Sequence, residues 1–270
     1  MIYLTKLGWG LVLILSGLAL LAPLLAGYDP NAIDVKAILL APSPTHWMGT
    51  DSLGRDVWAR MLYGGRISLL VSLVAVGIST LIGVVLGALA GFYRGTVDAF
   101  IMRLVDVMLS IPSFFLILAV IAFLPPSLFN IMVVIGLTSW MGVARLVRAE
   151  FLSLREQEFV LSALSLGASD WRLMFRHMLP NSLSPIIVST MLSLAGAVLL
   201  ESSLSFLGLG VQAPVASWGN ILNEGKEYIQ FAWWLSLFPG LAILLTVLGY
   251  NLIGNGLRLS QNPRPNTSLH

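Results

Sequence analysis

The sequence predicts an all-α membrane protein with six transmembrane helices, and three observations predict it. First, 57% of the 270 residues are hydrophobic and only 10% are charged, whereas soluble domains carry roughly 45–50% apolar and about 25% charged residues. A soluble fold of this length has no interior large enough to hide that excess, but a bilayer solvates it from outside. Second, the apolar residues gather into runs of the ~20 residues needed to cross a hydrocarbon core. Third, the polar links between the runs carry Lys and Arg unevenly, as the loops of multi-span proteins do.

The first run is Leu7–Gly27. Lys6 before it and small residues near Ala26 also fit a signal peptide, but the run is long for that role and further spans follow. A long segment, Tyr28–Arg66, comes next and holds Pro30, Pro42 and Pro44. Its Arg55, Arg60 and Arg66 are partly offset by Asp51 and Asp56. It therefore reads as a folded external segment with a re-entrant or interfacial piece. The second run, Ile67–Phe92, carries Gly83, Gly87 and Gly91 at four-residue intervals. That spacing lets helices approach closely. The third, Phe100–Leu124, has Arg103 and Asp106 in its first turns, three apart and able to pair on one face. A structural or gate-linked pair is the reading favoured for them. Pro112 should kink or break this span, as Pro239 should the last.

The fourth run is Ser127–Leu146 and the fifth Leu183–Leu207. Glu201 lies near the outer third of the fifth. Intramembrane carboxylates usually face a cavity or a partner, so Glu201 is a candidate for the pathway or for an interface hydrogen bond. The alternative is snorkelling to the external surface. The sixth run is Trp233–Leu257, and Trp233 and Trp234 read as an interfacial belt. Short links join Tyr93–Ala99 and Pro125-Pro126, and longer ones cover Ala149–Asn181 and Gly208–Ala232. The chain thus divides into a first helix with its external segment (1–66), a five-helix core (67–258) that includes the loop 149–181, and a tail (259–270).

With the N-terminus inside, the cytoplasmic segments and helix ends hold ten basic residues: Lys6, Arg94, Arg103, Arg145, Arg148, Arg155, Arg172, Arg176, Arg258 and Arg264. The external ones hold five: Lys36, Arg55, Arg60, Arg66 and Lys226. The bias predicts both termini in the cytoplasm.

The inner loop between the fourth and fifth spans predicts two helical pieces. Arg155–Leu166 places Phe159, Val160, Ala163 and Leu166 at helical spacing. Gly167 interrupts, Ser169 or Asp170 can cap the second piece, and Trp171, Met174, Phe175 and Met178 fall on one face of it. Pro180 should end it. The apolar face must be buried, either on the chain's own helix ends or on a separate cytoplasmic subunit.

Several function classes find no support. There is no cysteine, hence no disulfide, thiolate metal site or cysteine nucleophile. His46, His177 and His270 lie far apart, so no metal site is expected. No GxxxxGK[ST], HExxH or GxSxG motif occurs, and no basic cluster of the kind that grips nucleic acid.

Five stretches carry a resemblance to a known family. The loop SALSLGASDWRLMFRHMLPNSLSPIIV resembles the cytoplasmic loop of permease subunits of ATP-binding-cassette importers. Ser162-Ala163, Gly167 and Leu179-Pro180 stand at the places of its small-residue pair, its glycine and its leucine-proline. The chain departs from the pattern at Leu161, where the family has a glutamate, and in having Ser-Ala for Ala-Ala. HWMGTDSLGRDVWARMLYGGRISL (46–69) resembles the external signature of the dipeptide, oligopeptide and nickel branch, and its GTD-LGRD stretch points to the C-type subunit. ESSLSFLGLGVQAPVASWGNIL and FPGLAILLTVLGYNLIGNGLR resemble the same branch after the fifth span and in the last, as VDAFIMRLVDVMLSIPSFFL does at the third. The tail departs: Asn255 and Gln261-Asn262-Pro263 stand where the family has an acidic residue and an Asp-Pro ending.

The resemblance implies a type I importer permease fold in a bacterial inner membrane. It implies a heterodimer with a homologous second permease, two cytoplasmic ATPase subunits that carry ATP and Mg, and an external solute-binding protein. The chain itself would be no enzyme, would hold no cofactor, and would face membrane lipid but no nucleic acid. Ser162, Ala163, Gly167, Ala168, Asp170, Arg172, Leu179 and Pro180 would form the ATPase-coupling loop. Cargo would be di- or oligopeptides or related small solutes, with nickel, a metal chelate or glutathione as alternatives. A secondary transporter could use Glu201 and Asp106, but inverted sequence halves are absent. A membrane-embedded enzyme would need a nucleophile–base pair or metal ligands on facing spans, and none is visible.

Overall fold

Lipid offers no partner for a bare N–H or C=O, so apolar runs cross it as helices. The computed structural model describes residues 2–261. Arg264, His270 and the Asn262-Pro263 departure lie outside the described residues. Five helices are long and apolar enough to span a membrane, or six if one sharply bent pair counts as a span. Among the described residues the only strand-like feature is an isolated bridge between Thr50 and Asp56.

Helix α1 (Ile2–Leu20) and the short α2 (Ala22–Leu25) lead into the segment expected to be external, which has no regular structure. That segment is folded by its own hydrogen bonds. Leu39 N–H donates to Asp51 O and Thr50 N–H to Leu40 O, both at 3.0 Å. It contains no re-entrant helix. Instead α3 begins at Val57, not at Ile67, and runs to Tyr93. The reason is chemical. Asp56 caps the helix by accepting from Ala59 N–H at 2.8 Å, and the charge on Arg60, which made this stretch look like loop, is neutralised by carboxylates. At 37 residues α3 is about 55 Å long and forms the central post.

The third span is broken. α4 (Gly95–Leu109) and α5 (Ser113–Ile121) meet at 83°, with Pro112 at the N-cap of α5. The fourth is also interrupted, between α6 (Leu128–Leu137) and α7 (Met141–Leu154). α7 continues past Leu146 because Val147 and Phe151 are fully buried against α3. The first six residues of the expected inner loop, 149–154, are therefore helix of the span itself. α8 covers only Glu158–Ser165, and α9 covers Asp170–Arg172.

Pro180 does not end a helix. α9 passes through a π-helical segment, Leu173–Met178, directly into α10 (Leu179–Phe206). Leu179 N–H reaches back to Met174 O, so the hydrogen-bond ladder changes register there. Pro180 then stands in the first turn of the renewed α-helix, where its missing N–H leaves nothing unpaired. α11 (Trp218–Gly225) is a short helix opened by a capping box of Ser217 and Asn220. α12 (Trp234–Gln261) closes the bundle and continues through Pro239. Of the tryptophan pair at its start only Trp233 is exposed. Trp234 is buried and donates from Nε1 to Thr50 O at 3.0 Å, fastening the external segment to the last span.

Small residues set the closest approaches. A Cβ on Gly8 of α1 would lie 2.8 Å from Gly249 O of α12. On α3, Gly83, Gly87 and Gly91 all face α7. A Cβ there would meet Val143 Cβ at 2.6 Å, Ala144 O at 2.5 Å and Phe151 Cβ at 2.6 Å, respectively.

Candidate functional site

The segment 155–180 between the fourth and fifth spans is anchored on one side and bare on the other. α8 turns Val160 inward, where it joins Phe151, Leu173, Met174 and Met178 in one buried cluster. The helix ends in a Schellman arrangement: Ala168 N–H donates to Ala163 O at 3.1 Å and Gly167 N–H to Leu164 O at 2.9 Å. Gly167 has φ +82°, with open space around a would-be Cβ. It is needed for its backbone, not for lack of room. Ser169 stands at the N-cap of α9 but makes no side-chain capping bond.

The outward face keeps Leu161 and Leu164 exposed on α8. Leu166, at the tip of the turn, is 89% exposed, and Trp171 is 71% exposed. Trp171 stacks on Phe175 at 3.9 Å between ring centroids. Ser162, Asp170, Arg172 and Pro180 are exposed too, and Ala163, Ala168 and Leu179 are half-buried. All eight sequence-predicted loop residues thus belong to one surface element, interrupted by the buried turn of the π-helical segment.

Ion pairs tie the root of this element to the bundle. Arg148 of α7 grips Asp98 of α4 with two bonds of 2.5 and 2.6 Å. Arg145 pairs with Asp106 at 2.5 Å, and Arg94 with Glu156 at 3.1 Å. Arg155 donates to Phe92 O and lies over the Phe92 ring at 5.4 Å. Arg103 and Asp106 therefore do not pair with each other. Arg103 is exposed, with no ion pair among the described residues. An exposed i,i+3 pair is worth only about 0.2–0.5 kcal/mol, and a guanidinium brought in by α7 outcompetes it.

Glu201 does not snorkel, and in this chain it lines no open path. It is fully buried on α10. Ser205 Oγ donates to it at 2.8 Å and Ser202 Oγ at 3.4 Å. The hydroxyls of Ser68 on α3 and Ser217 before α11 also hydrogen-bond to it. One carboxylate thus joins three elements, since Ser68 Oγ in turn accepts from Trp218 N–H at 3.2 Å. Glu201→Ala should detach α11 from α10 and leave hydroxyls unpaired, whereas Glu201→Gln keeps an acceptor. The expected result is a loss of about 1–3 kcal/mol for alanine and a clearly smaller one for glutamine, read as thermal stability in detergent.

A second buried cluster was half visible in the sequence, which offset Arg55, Arg60 and Arg66 with Asp51 and Asp56 but gave no role to Glu224. Arg55 Nε donates to Asp51 at 2.7 Å and its Nη2 to Glu224 at 3.0 Å. Arg60 donates to both acids, with Nη2 to Glu224 at 2.9 Å. Beside it, Asp56 accepts from His46 Nδ1–H at 2.9 Å. Two arginines and two acids lock the external segment and the head of α3 onto α11. Asp51 and Arg55 are legible in the GTD-LGRD stretch and Arg60 follows four residues after it, but nothing local announces Glu224 as their partner. Among the described residues no His, Cys, Asp and Glu cluster could hold a metal ion.

Comparison with known proteins agrees with this architecture. Residues 83–266 match the family model described as binding-protein-dependent transport system inner membrane component. The chain is 44% identical to a probable D,D-dipeptide transport system permease protein of Escherichia coli (strain K12), over 94% of this chain and 85% of that protein. It is 43% identical to a dipeptide transport system permease protein of Alkalihalophilus pseudofirmus, over 94% and 84%. It is 42% identical to a glutathione transport system permease protein of Pectobacterium atrosepticum, over 94% and 84%. A match across more than half the chain, with relatives this similar over nearly all of it, identifies a multi-pass membrane protein: the chain belongs to the family of binding-protein-dependent transport system inner membrane components.

Proposed function

We propose that this chain is one of two homologous channel-forming subunits of an ATP-driven importer in a bacterial inner membrane, with both termini cytoplasmic. The observation that carries the reading is the apolar crest of Leu161, Leu164, Leu166, Trp171 and Phe175, left bare on a loop rooted in buried side chains. Apolar residues concentrated on a polar-side loop need a protein cleft to cover them. The occupant in this reading is one of two cytoplasmic ATPase subunits, which hold the ATP and Mg. Ser162, Ala163 and Gly167 let the crest sit flush, and Asp170 and Arg172 flank it. An external solute-binding protein delivers the cargo and sets most of the selectivity. The names of the relatives favour short peptides, glutathione among them, and a nickel chelate is the rarer alternative. An ion-coupled carrier is disfavoured because its two candidate acids are engaged, Asp106 by Arg145 and Glu201 by hydroxyls.

The test is co-purification from detergent-solubilised membranes with the intact chain and with Gly167→Arg. A side chain at φ +82° costs about 1–2 kcal/mol of local strain, and a cation there meets the docking face. The intact chain should retain ATPase subunits, while the variant inserts normally and loses them. Uptake without ATP, together with no ATPase bound to either form, refutes the reading.

A further inference from the structure

At the end of the bundle that carries the external segment, a groove of about 610 Å³ opens between α1, α3 and the loop before α11. Its size lies in the range of about 300–1,000 Å³ that encloses a small-molecule ligand. Its walls are apolar: Leu20 from α1, Ile67, Leu70 and Leu73 from α3, and the Tyr250 ring from α12. Leu20, Leu70 and Leu73 are exposed, so the groove is open at the surface of the bundle. Three polar groups stand on the lip: Arg66, Tyr63 and Asn31.

Arg66 differs from the other arginines of its segment. Arg55 and Arg60 are spent on Asp51 and Glu224. Arg66 makes no ion pair among the described residues and only rests over the Tyr63 ring at 5.8 Å. Asp29 lines the adjoining hollow, not this groove, and does not pair with it. Arg66 also immediately precedes the long apolar run of α3, which is the depth where headgroup phosphates lie and where long cationic side chains end. An unpaired cation above an apolar channel complements one abundant molecule, a lipid with a charged phosphate and a long chain.

We propose that this groove seats an anionic phospholipid, its phosphate on Arg66 and one acyl chain along Leu20, Ile67, Leu70 and Leu73. The site is independent of which cargo the protein carries. A second permease subunit covering the same groove is the competing occupant.

The tagged full-length chain, extracted in mild detergent with its bound subunits, is examined by native mass spectrometry for phosphatidylglycerol. Arg66→Gln should lower retained phosphatidylglycerol by about fivefold, the factor one cation near an anionic surface is worth, while Arg66→Lys retains it. Leu70→Trp, which fills the groove and leaves Arg66 in place, should also displace it. Arg66 is exposed, so a fall in binding does not trace to misfolding. A photo-crosslinker at Leu73 should capture lipid. Unchanged phosphatidylglycerol in Arg66→Gln overturns the proposal, and so does capture of the second permease at Leu73.

Discussion

Arg60→Met is expected to be among the most destabilising single changes in this chain. Arg60 is 1% exposed and Asp51 is fully buried, and both are held at the junction of the external segment, α3 and α11. Methionine preserves much of the volume but leaves Asp51 and Glu224 sharing Arg55 alone. Breaking a buried pair by removing one partner costs about 3–5 kcal/mol, because the orphaned charge stays out of water. Asp51 has no easy escape, since its Oδ1 also accepts from Leu53 and Arg55 N–H at 2.8 and 2.9 Å. The measurement is a thermal unfolding series in detergent, followed by size-exclusion fluorescence. Arg60→Met should unfold at clearly lower temperature than the parent. Arg60→Met with Glu224→Met should lose less than the sum of the two single losses, since the double change removes one charge of each sign. A melt for Arg60→Met indistinguishable from the parent's would remove the cluster from any role in holding α11.

The second large effect is expected at Gly87, and a matched control makes it sharp. Glycine to alanine inside a helix ordinarily gains about 0.8–1.0 kcal/mol of propensity. Gly77 and Gly87 lie on the same helix. At Gly77 a new methyl group meets nothing within 4 Å, whereas at Gly87 it would sit 2.5 Å from Ala144 O and 2.8 Å from Val147 Cβ. A carbonyl inside α7 cannot swing aside unless the whole helix moves, and overpacking of this kind costs about 1–3 kcal/mol. Gly77→Ala should therefore leave stability unchanged or raise it, and Gly87→Ala should lower it. Gly87→Leu should go further, forcing α7 away from α3 and dragging Asp98, Arg148 and the start of α8 out of place. ATP-dependent uptake by reconstituted complex should then fall together with stability. Equal melts for the two alanine variants would mean that α3 and α7 are already free to part.

Features written in local spacing were legible before the structure. The repeat of Gly83, Gly87 and Gly91 lies on one helical stripe, Gly167 stood at the break between two helical pieces, and Pro112 was expected to kink or break its span. Features decided by distant partners were not. The head of α3 looked like loop because Arg60 is charged, and what neutralises it includes Glu224, 164 positions away. Asp106 had a tempting neighbour in Arg103, but the bundle brings Arg145 to it from α7. Pro180 read as a stop because a regular α ladder was assumed, and the π-helical change of register that accommodates it has no compositional mark. Glu201 was singled out correctly as unusual. Its four hydroxyl partners come from α3, α10 and the approach to α11, and serines scattered so widely do not announce a shared acceptor.

The unbroken run from Asp170 to Phe206 has a mechanical consequence. At 37 residues it is a strut about 55 Å long, with Trp171 at its foot and Glu201 near its head. A tilt of about 5° at the foot carries the head sideways by about 5 Å over such a length. The head is tied to α11 through Glu201 and Ser205, and α11 to α3 through Glu224, so these elements are joined at that end of the bundle. The hydrogen-bond register of the strut changes at the π-helical turn beside Pro180, so any tilt applied at the foot passes through that turn before it reaches the head.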